Sequence, residues 1–143
     1  MREIILQLIT AFLGSLGFAI LFGIRSRYLL LAALGGMLSW SVYLGVHTLA
    51  ARDFLAYLTA AVFAMAYSEL LAHLRKCPAT LFVVPAIIPL VPGTSLYYTM
   101  DSAAHGDLVR AGEFGYTTLT AALAIAAGIS LVTVIHSLRM QKS

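Results

Sequence analysis

Residues 77–100 read CPATLFVVPAIIPLVPGTSLYYTM and contain all four prolines of the chain, at positions 78, 85, 89 and 92. The stretch is uncharged and long enough to cross a membrane as a helix. Pro78 would lie in the first turn of that helix, but each of the three later prolines lacks an N–H inside it and crowds the preceding turn. Pro92 also forms a turn dipeptide with Gly93. The sequence therefore predicts a broken span; the alternative is one kinked helix with a structural role.

The composition of the whole chain indicates a membrane protein. Of its 143 residues, 61% are apolar and only 10% are charged, and the mean hydropathy is +0.93. A soluble domain has about a quarter charged residues, and a small one cannot bury so much apolar surface. These values exclude soluble enzymes, nucleic-acid binders and disordered tails. We predict an all-α integral membrane protein with one domain, 1–143, and five spans at about 4–24, 28–51, 54–74, 77–100 and 114–138.

The distribution of Lys and Arg predicts the orientation of the chain. With five crossings, one side of the membrane carries six basic residues and the other side carries three. Because basic residues favour the cytosolic side, we predict that the N-terminus lies outside and the C-terminus in the cytosol. The six are Arg25, Arg27, Arg75, Lys76, Arg139 and Lys142, and the three are Arg2, Arg52 and Arg110.

The break predicts a binding site deep in the membrane. As a helix, residues 77–89 extend about 18–20 Å, which brings the break near the bilayer midplane. Irregular backbone at this depth must be buried in protein or line a wet cavity. The hydroxyl of Thr94 or Ser95 is expected to cap a second half-helix, whose N-terminus attracts an anion, as in many transporters. The predicted substrate-binding residues are Pro89, Pro92, Gly93, Thr94, Ser95 and Tyr97, and the alternative for Tyr97 is the interfacial aromatic belt.

Glu69 is the only acidic residue inside a predicted span, and ionisable residues at membrane depth are usually functional. His73 follows it by one helical turn, so the two side chains share a face and are candidates for proton coupling. Glu69 also lies near the cytosolic end of its span and close to Arg75, which leaves an interfacial salt bridge as the alternative.

Two other polar residues inside spans have less specific expectations. Trp40 lies near the middle of the second span, where an aromatic belt is excluded, so we expect core packing, with a pathway lining as the alternative. His136 lies near the inner end of the fifth span and is expected at the interface.

Small residues recur at four-residue intervals on three spans, which lets helices approach closely in lipid. The pattern favours packing within the chain, and contact with a partner chain is the alternative. The stripes are Ser15, Ala19 and Gly23; Ala60 and Ala64; and Ala122, Ala126 and Ser130.

Motifs of enzymes and of bound cofactors are absent from the sequence. It has no Gly-x-Ser-x-Gly elbow, no His-Glu-x-x-His pair and no Walker loop. The four histidines lack metal-ligand spacing, and the single cysteine forms neither an internal disulfide nor a cysteine-rich metal site. We therefore predict a protein that is not an enzyme, has no metal or cofactor, and is driven by an ion gradient if it transports a solute.

The segments around the prolines also resemble a known family of transporters. The resemblance is carried by 68–72 (SELLA), Lys76, 78–80 (PAT), 84–93 (VPAIIPLVPG) and 97–100 (YYTM), and it extends more loosely over the whole chain. These segments are similar to the threonine/serine exporter family, in particular to its small five-span component. The resemblance implies an exporter of threonine and serine in the bacterial inner membrane, acting with a larger membrane subunit. It also implies that some two-chain relatives export dicarboxylates such as succinate.

Two hypotheses about function follow. In the first, the chain is the small membrane subunit of a gradient-coupled secondary exporter and binds an amino acid or small carboxylate at the break. In the second, it is an accessory or assembly subunit that makes no contact with substrate. Substitutions at Thr94 and Tyr97 would change substrate preference in the first case and only the yield of the complex in the second.

Overall fold

The computed structural model describes the backbone of residues 2–141 and the side chains of residues 2–138, and it is all-helical over that range. Four helices are each long and apolar enough to span a membrane, and two shorter helical segments joined by a 52° bend pass the same test together and count as a fifth when the bent pair is taken as one broken span. The predicted fold class, with a broken fourth span, is confirmed. Lys142, which contributed to the predicted orientation, lies outside the described residues. The helices are α1 (Arg2–Leu21), α2 (Ser26–Ala50), α3 (Asp53–Arg75), α4 (Thr80–Ile87) followed by a 3-10 turn (Ile88–Leu90), α5 (Gly93–Ala104) and α6 (Leu108–Gln141).

The connection between the last two spans is shorter than the sequence indicates. α6 begins at Leu108, inside the polar stretch 101–113 that was expected to connect the spans. Gly106 turns the chain with φ +79°, a conformation that glycine adopts without strain. Asp107 Oδ1 then accepts a hydrogen bond from the Arg110 backbone N–H at 3.1 Å, as a helix N-cap does. This cap lets the amphipathic residues that follow form the first turns of α6.

α2 and α3 form the centre of the bundle. α1 packs on α2, α6 packs on α3, and α4 lies against both central helices. α5 packs on α6 and makes no extensive contact with the other helices described. The second half of the broken span therefore bends away from the first half and leaves a gap between α5, α2 and α3.

Small residues allow the closest contacts between helices. A Cβ added at Gly36 of α2 would lie 1.8 Å from Ser15 Oγ of α1, and one at Gly128 of α6 would lie 2.8 Å from Ala61 Cβ of α3. The stripes on α1 and α3 pack within the chain. Their buried members are Ser15, Ala19, Ala60 and Ala64.

The stripe on α6 does not pack within the described chain. Ala122, Ala126 and Ser130 are exposed, because α6 presents Gly128 to α3 and these three positions lie on another face of the helix. Gly23, the last member of the α1 stripe, is also not a packing residue, since it forms the turn after α1 with φ +67°. The α6 stripe is therefore free to contact lipid or another chain.

One end of the bundle is rich in positive charge. A hydrophobic cluster there joins Tyr28, beside the α1–α2 connection, to Phe82, beside the α3–α4 connection, with ring centroids 5.8 Å apart. The two connections therefore lie at the same end, which we call the basic end. Its basic residues are Arg25, Arg27, Arg75 and Lys76.

Candidate functional site

Two of the four prolines of the broken span occupy helix starts, while Pro78, expected in the first turn, lies just before the Ala79 N-cap of α4. Pro89 is among the first residues of the 3-10 turn, and Pro92 is the N-cap of α5. At both positions a backbone N–H is not needed. Pro85 stays inside α4, where its side chain is buried. The break falls at Val91 and Pro92, whose ψ angles of 123° and 55° leave the helical region.

α5 begins near the middle of the span, because the helical segments before and after the break each extend about 16–18 Å. Its N-cap is Pro92, which has no side-chain acceptor to offer. The expected cap by Thr94 or Ser95 is wrong, because the helix already starts at Gly93 and both hydroxyls belong to its first turn. Ser95 Oγ instead donates to the Pro92 carbonyl at 3.1 Å.

The first turn of α5 contains unpaired hydrogen-bond donors. The backbone N–H groups of Thr94 and Ser95 donate to no acceptor among the described residues, whereas the N–H of Leu96 bonds the Pro92 carbonyl at 3.1 Å. Thr118 of α6 donates to Ser95 Oγ at 3.0 Å and holds the turn against α6. Free N–H groups at the positive end of a helix dipole attract an anion.

This turn opens into a cavity of about 380 Å³, which we call the break cavity. Five of the six predicted substrate-binding residues line it, but Tyr97 lies outside and is 65% exposed. Tyr98 lines the cavity instead, since four residues after Thr94 come closer to a full helical turn than three do. The lining consists of Trp40, Tyr57, Pro89, Val91, Pro92, Gly93, Thr94, Ser95, Tyr98, Phe114 and Thr117.

Aromatic rings form another part of the wall. Tyr43 lies between Trp40 of α2 and Tyr57 of α3, with ring centroids 4.8 and 4.6 Å away. Trp40 Nε1 donates to Gln7 Oε1 of α1 at 3.3 Å, which orients the indole. Aromatic faces attract cations such as an ammonium group. With N–H donors and aromatic rings in its wall, the cavity suits a small molecule that carries a carboxylate, an ammonium group or both.

Comparison with protein families places this site in a known context. The family model described as "Threonine/Serine exporter, ThrE" matches residues 7–135, which include the whole break cavity. The chain belongs to the threonine/serine exporter family. The resemblance found in residues 68–100 is thereby confirmed, and the chain is a multi-pass membrane protein of an exporter class rather than of an enzyme class. Comparison with curated proteins and with solved structures gave no match.

This member of the threonine/serine exporter family has a second cavity, of about 580 Å³, at the basic end between α3, α6 and the start of α4. Glu69 and His73 both line this basic-end cavity, but Glu69 Oε2 lies 3.6 Å from His136 Nδ1 of α6, a contact that is an ion pair when the imidazole is protonated. Within the described chain, no ion pair joins Glu69 to His73 or to Arg75. The lining consists of Glu69, Ala72, His73, Lys76, Cys77, Pro78, Ala79 and His136.

The Glu69–His136 pair corrects the expected local pairing. Spacing of four residues places Glu69 and His73 on one face of α3, but it does not by itself bring their charged atoms together. α6 packs along α3 and brings His136 within reach of the carboxylate. A role for Glu69 and His73 in proton coupling stays a prediction, and the structure adds His136 to the group.

Proposed function

We propose that this chain is the small membrane subunit of a secondary exporter that moves threonine, serine or a related small carboxylate out of a bacterial cell across the inner membrane. Membership of the threonine/serine exporter family supports the substrate class. An ion gradient supplies the energy, since the sequence contains no Walker loop for ATP. The basic end faces the cytosol, in agreement with the preference of Lys and Arg for that side.

The substrate binds in the break cavity through its carboxylate. The observation that carries this proposal is the pair of free N–H groups of Thr94 and Ser95, which lie in the lining of the cavity near the middle of the span. A helix N-terminus is equivalent to about half a positive charge, which attracts an anion. The volume of about 380 Å³ is at the small end of ligand pockets, which suits an amino acid. The rings of Trp40 and Tyr57 receive the ammonium group.

A larger partner subunit completes the transport path. α5 packs on α6 without closing the gap toward α2 and α3, so the break cavity is not enclosed by the described helices. The α6 stripe, Ala122, Ala126 and Ser130, faces away from this chain's own helices. Such stripes permit close helix contact in lipid, where packing replaces the hydrophobic effect. The open cavity and the unused stripe each favour contact with a second membrane chain.

Glu69, His73 and His136 couple transport to protons. They line one cavity, and the Glu69–His136 ion pair links α3 to α6 at 3.6 Å. Histidine changes charge near physiological pH. A change in the contact between Glu69 and His136 would therefore allow α6 to move relative to α3.

Export from intact cells tests the proposal. A strain without the gene is loaded with threonine- and serine-containing dipeptides, or with succinate, and the chain is restored together with its larger subunit. The decisive variant is Gly93→Leu, because a Cβ at Gly93 meets no described atom within 4 Å and the residue lines the break cavity. The leucine should narrow the cavity beside the free N–H groups and lower export without lowering the amount of protein in the membrane. Gly112→Leu on α6, where a Cβ also meets no described atom within 4 Å, should keep export.

The outcomes separate the two functional hypotheses. Normal export by Gly93→Leu would refute the break cavity as the substrate site. If Gly93→Leu lowers the yield of the two-chain complex and export falls only in proportion, the chain is an accessory subunit. The solute whose release stops when the gene is absent identifies the substrate.

A further inference from the structure

The basic-end cavity is well separated from the break cavity. It lies beside the start of α4, whereas the break cavity lies beyond the 3-10 turn, and the helical residues 80–90 between them extend about 16 Å. Its volume of about 580 Å³ exceeds the 380 Å³ of the break cavity. In the proposed orientation it faces the cytosol, the side from which an exporter collects its substrate.

Side chains of both charge signs line the basic-end cavity. Glu69 provides a carboxylate whose side chain is 20% exposed and which is paired with His136 at 3.6 Å. Lys76 provides an ammonium group that forms no ion pair with any residue the structure describes. His73 and Cys77 are the other titratable groups in the lining. A partly buried negative group and an available positive group therefore border the same space.

The backbone sets the position of the lysine. Lys76 ends α3 in the left-handed conformation, with φ 51°, and its N–H bonds the Ala72 carbonyl. Ala72 and Lys76 both line the cavity, so this cap holds the root of the lysine side chain at its edge. Glu69 lies on α3 two turns before this cap, so the backbone positions of the two residues are set relative to each other.

We propose that the basic-end cavity is a loading site for zwitterionic α-amino acids, from which the substrate passes to the break cavity. The substrate ammonium binds the Glu69 carboxylate and displaces His136, while the substrate carboxylate binds Lys76. This inference rests on the proposed transport of small carboxylates and narrows it to amino acids. A dicarboxylate such as succinate has no group for Glu69 and is repelled by its charge, so the loading site selects amino acids before they reach the break cavity.

Ligands that lack one charge test the loading site. Equilibrium binding of tritiated threonine is measured on the full chain, purified from its native membrane with the subunit that accompanies it. The Gly93→Leu variant is used so that the break cavity is obstructed beside its free N–H groups. Competitors are threonine methyl ester, which lacks the carboxylate, N-acetylthreonine, which lacks the ammonium group, and succinate. Loss of one charge-assisted hydrogen bond should weaken each threonine derivative about tenfold or more relative to threonine, and succinate should not compete.

Variants of the two charged residues assign each contact. Glu69→Gln should remove the discrimination against N-acetylthreonine, and Lys76→Met should remove the discrimination against the methyl ester. Arg75→Met is the matched control, since Arg75 is the adjacent basic residue and does not line the cavity, and it should keep both preferences. His136→Gln should tighten threonine binding, because it removes the group that competes for Glu69. A Glu69 with a purely structural role would change the affinity for all ligands equally.

The stoichiometry separates this inference from the proposed function. The wild-type protein should bind one more equivalent of threonine than Gly93→Leu does. If Gly93→Leu binds no threonine, the loading site is refuted and the break cavity stands. If Gly93→Leu binds as much threonine as the wild type and Glu69→Gln abolishes that binding, the loading site stands and the break cavity is refuted. Ligand preferences that are the same in Glu69→Gln, Lys76→Met and Arg75→Met also overturn the loading site.

Discussion

Replacing Gly36 by alanine should destabilise the protein at the point where α1, α2 and the broken span meet. The added Cβ would lie 1.8 Å from Ser15 Oγ, 2.6 Å from Ser15 Cβ and 3.1 Å from the Pro85 carbonyl oxygen. The hydroxyl can rotate away, but Ser15 Cβ is attached to the backbone of α1. α1 must therefore shift by about 1 Å before the two carbons reach ordinary contact.

The size of the effect follows from overpacking and from helix propensity. Forcing a methyl group into a close helix contact costs about 1–3 kcal/mol, while alanine gains about 1 kcal/mol over glycine inside a helix. Gly45→Ala is the reference variant. A Cβ at Gly45, on the same helix, meets no described atom within 4 Å, so this variant gains helix propensity without a steric clash. Gly36→Ala should thus be about 1–3 kcal/mol less stable than Gly45→Ala, which lowers Tm by about 3–12 °C for a chain of this size.

The single cysteine provides an assay for this prediction. Cys77 is partly buried beside the α3–α4 connection, and a thiol-reactive dye reports its exposure as the purified protein is heated. Adding Ser15→Gly to Gly36→Ala removes both clashing atoms and should restore most of the lost Tm, a coupling that a double-mutant cycle measures. Equal melting of Gly36→Ala and Gly45→Ala, or no recovery in the double variant, would refute the packing argument.

Two further predictions concern the faces of α5 and α6. Tyr98→Ala should lower threonine affinity about three- to tenfold because its ring lines the break cavity. Tyr97→Ala is the control and should bind threonine normally. Equal losses of affinity in the two variants would contradict the assigned faces of α5. Ala126→Leu should reduce the amount of larger subunit that co-purifies with the chain, because leucine holds closely packed helices apart. Leu131→Met, on a different face of α6, should keep it, and full co-purification of Ala126→Leu would remove the α6 stripe from the interface.

The break could be predicted from the sequence because its cause lies in single residues. A proline has no N–H in any environment, so Pro89 and Pro92 interrupt helical hydrogen bonding whatever surrounds them. Pro85 shows the limit of this reasoning, since it stays inside α4, where it is buried with Phe82 and Ala86. One lost hydrogen bond did not end that helix, whereas two prolines and the turn after the second did.

The sequence predicted only those residues of the candidate site that lie on the broken span itself. Residues of the break lie together because they are neighbours in the chain, and helical periodicity could have selected Tyr98 over Tyr97. Tyr57 and Thr117 come from α3 and α6, and no local pattern marks them. The expected cap was wrong because the first residue of a helix depends on where the break ends, and boundaries shift by a residue or two with small changes in the turn.

The sequence by itself determined that the chain lies in a membrane, that it has five apolar stretches and that the fourth is broken, because hydropathy and a missing N–H are properties of the residues themselves. Only the tertiary structure decided which face of each helix meets its neighbours. These helices are apolar all round, so no polar face marks the orientation of each helix about its axis. For α6, the close packing of Gly128 against α3 sets the rotation of the helix about its axis. This rotation brings His136 to Glu69 and leaves Ala126 exposed.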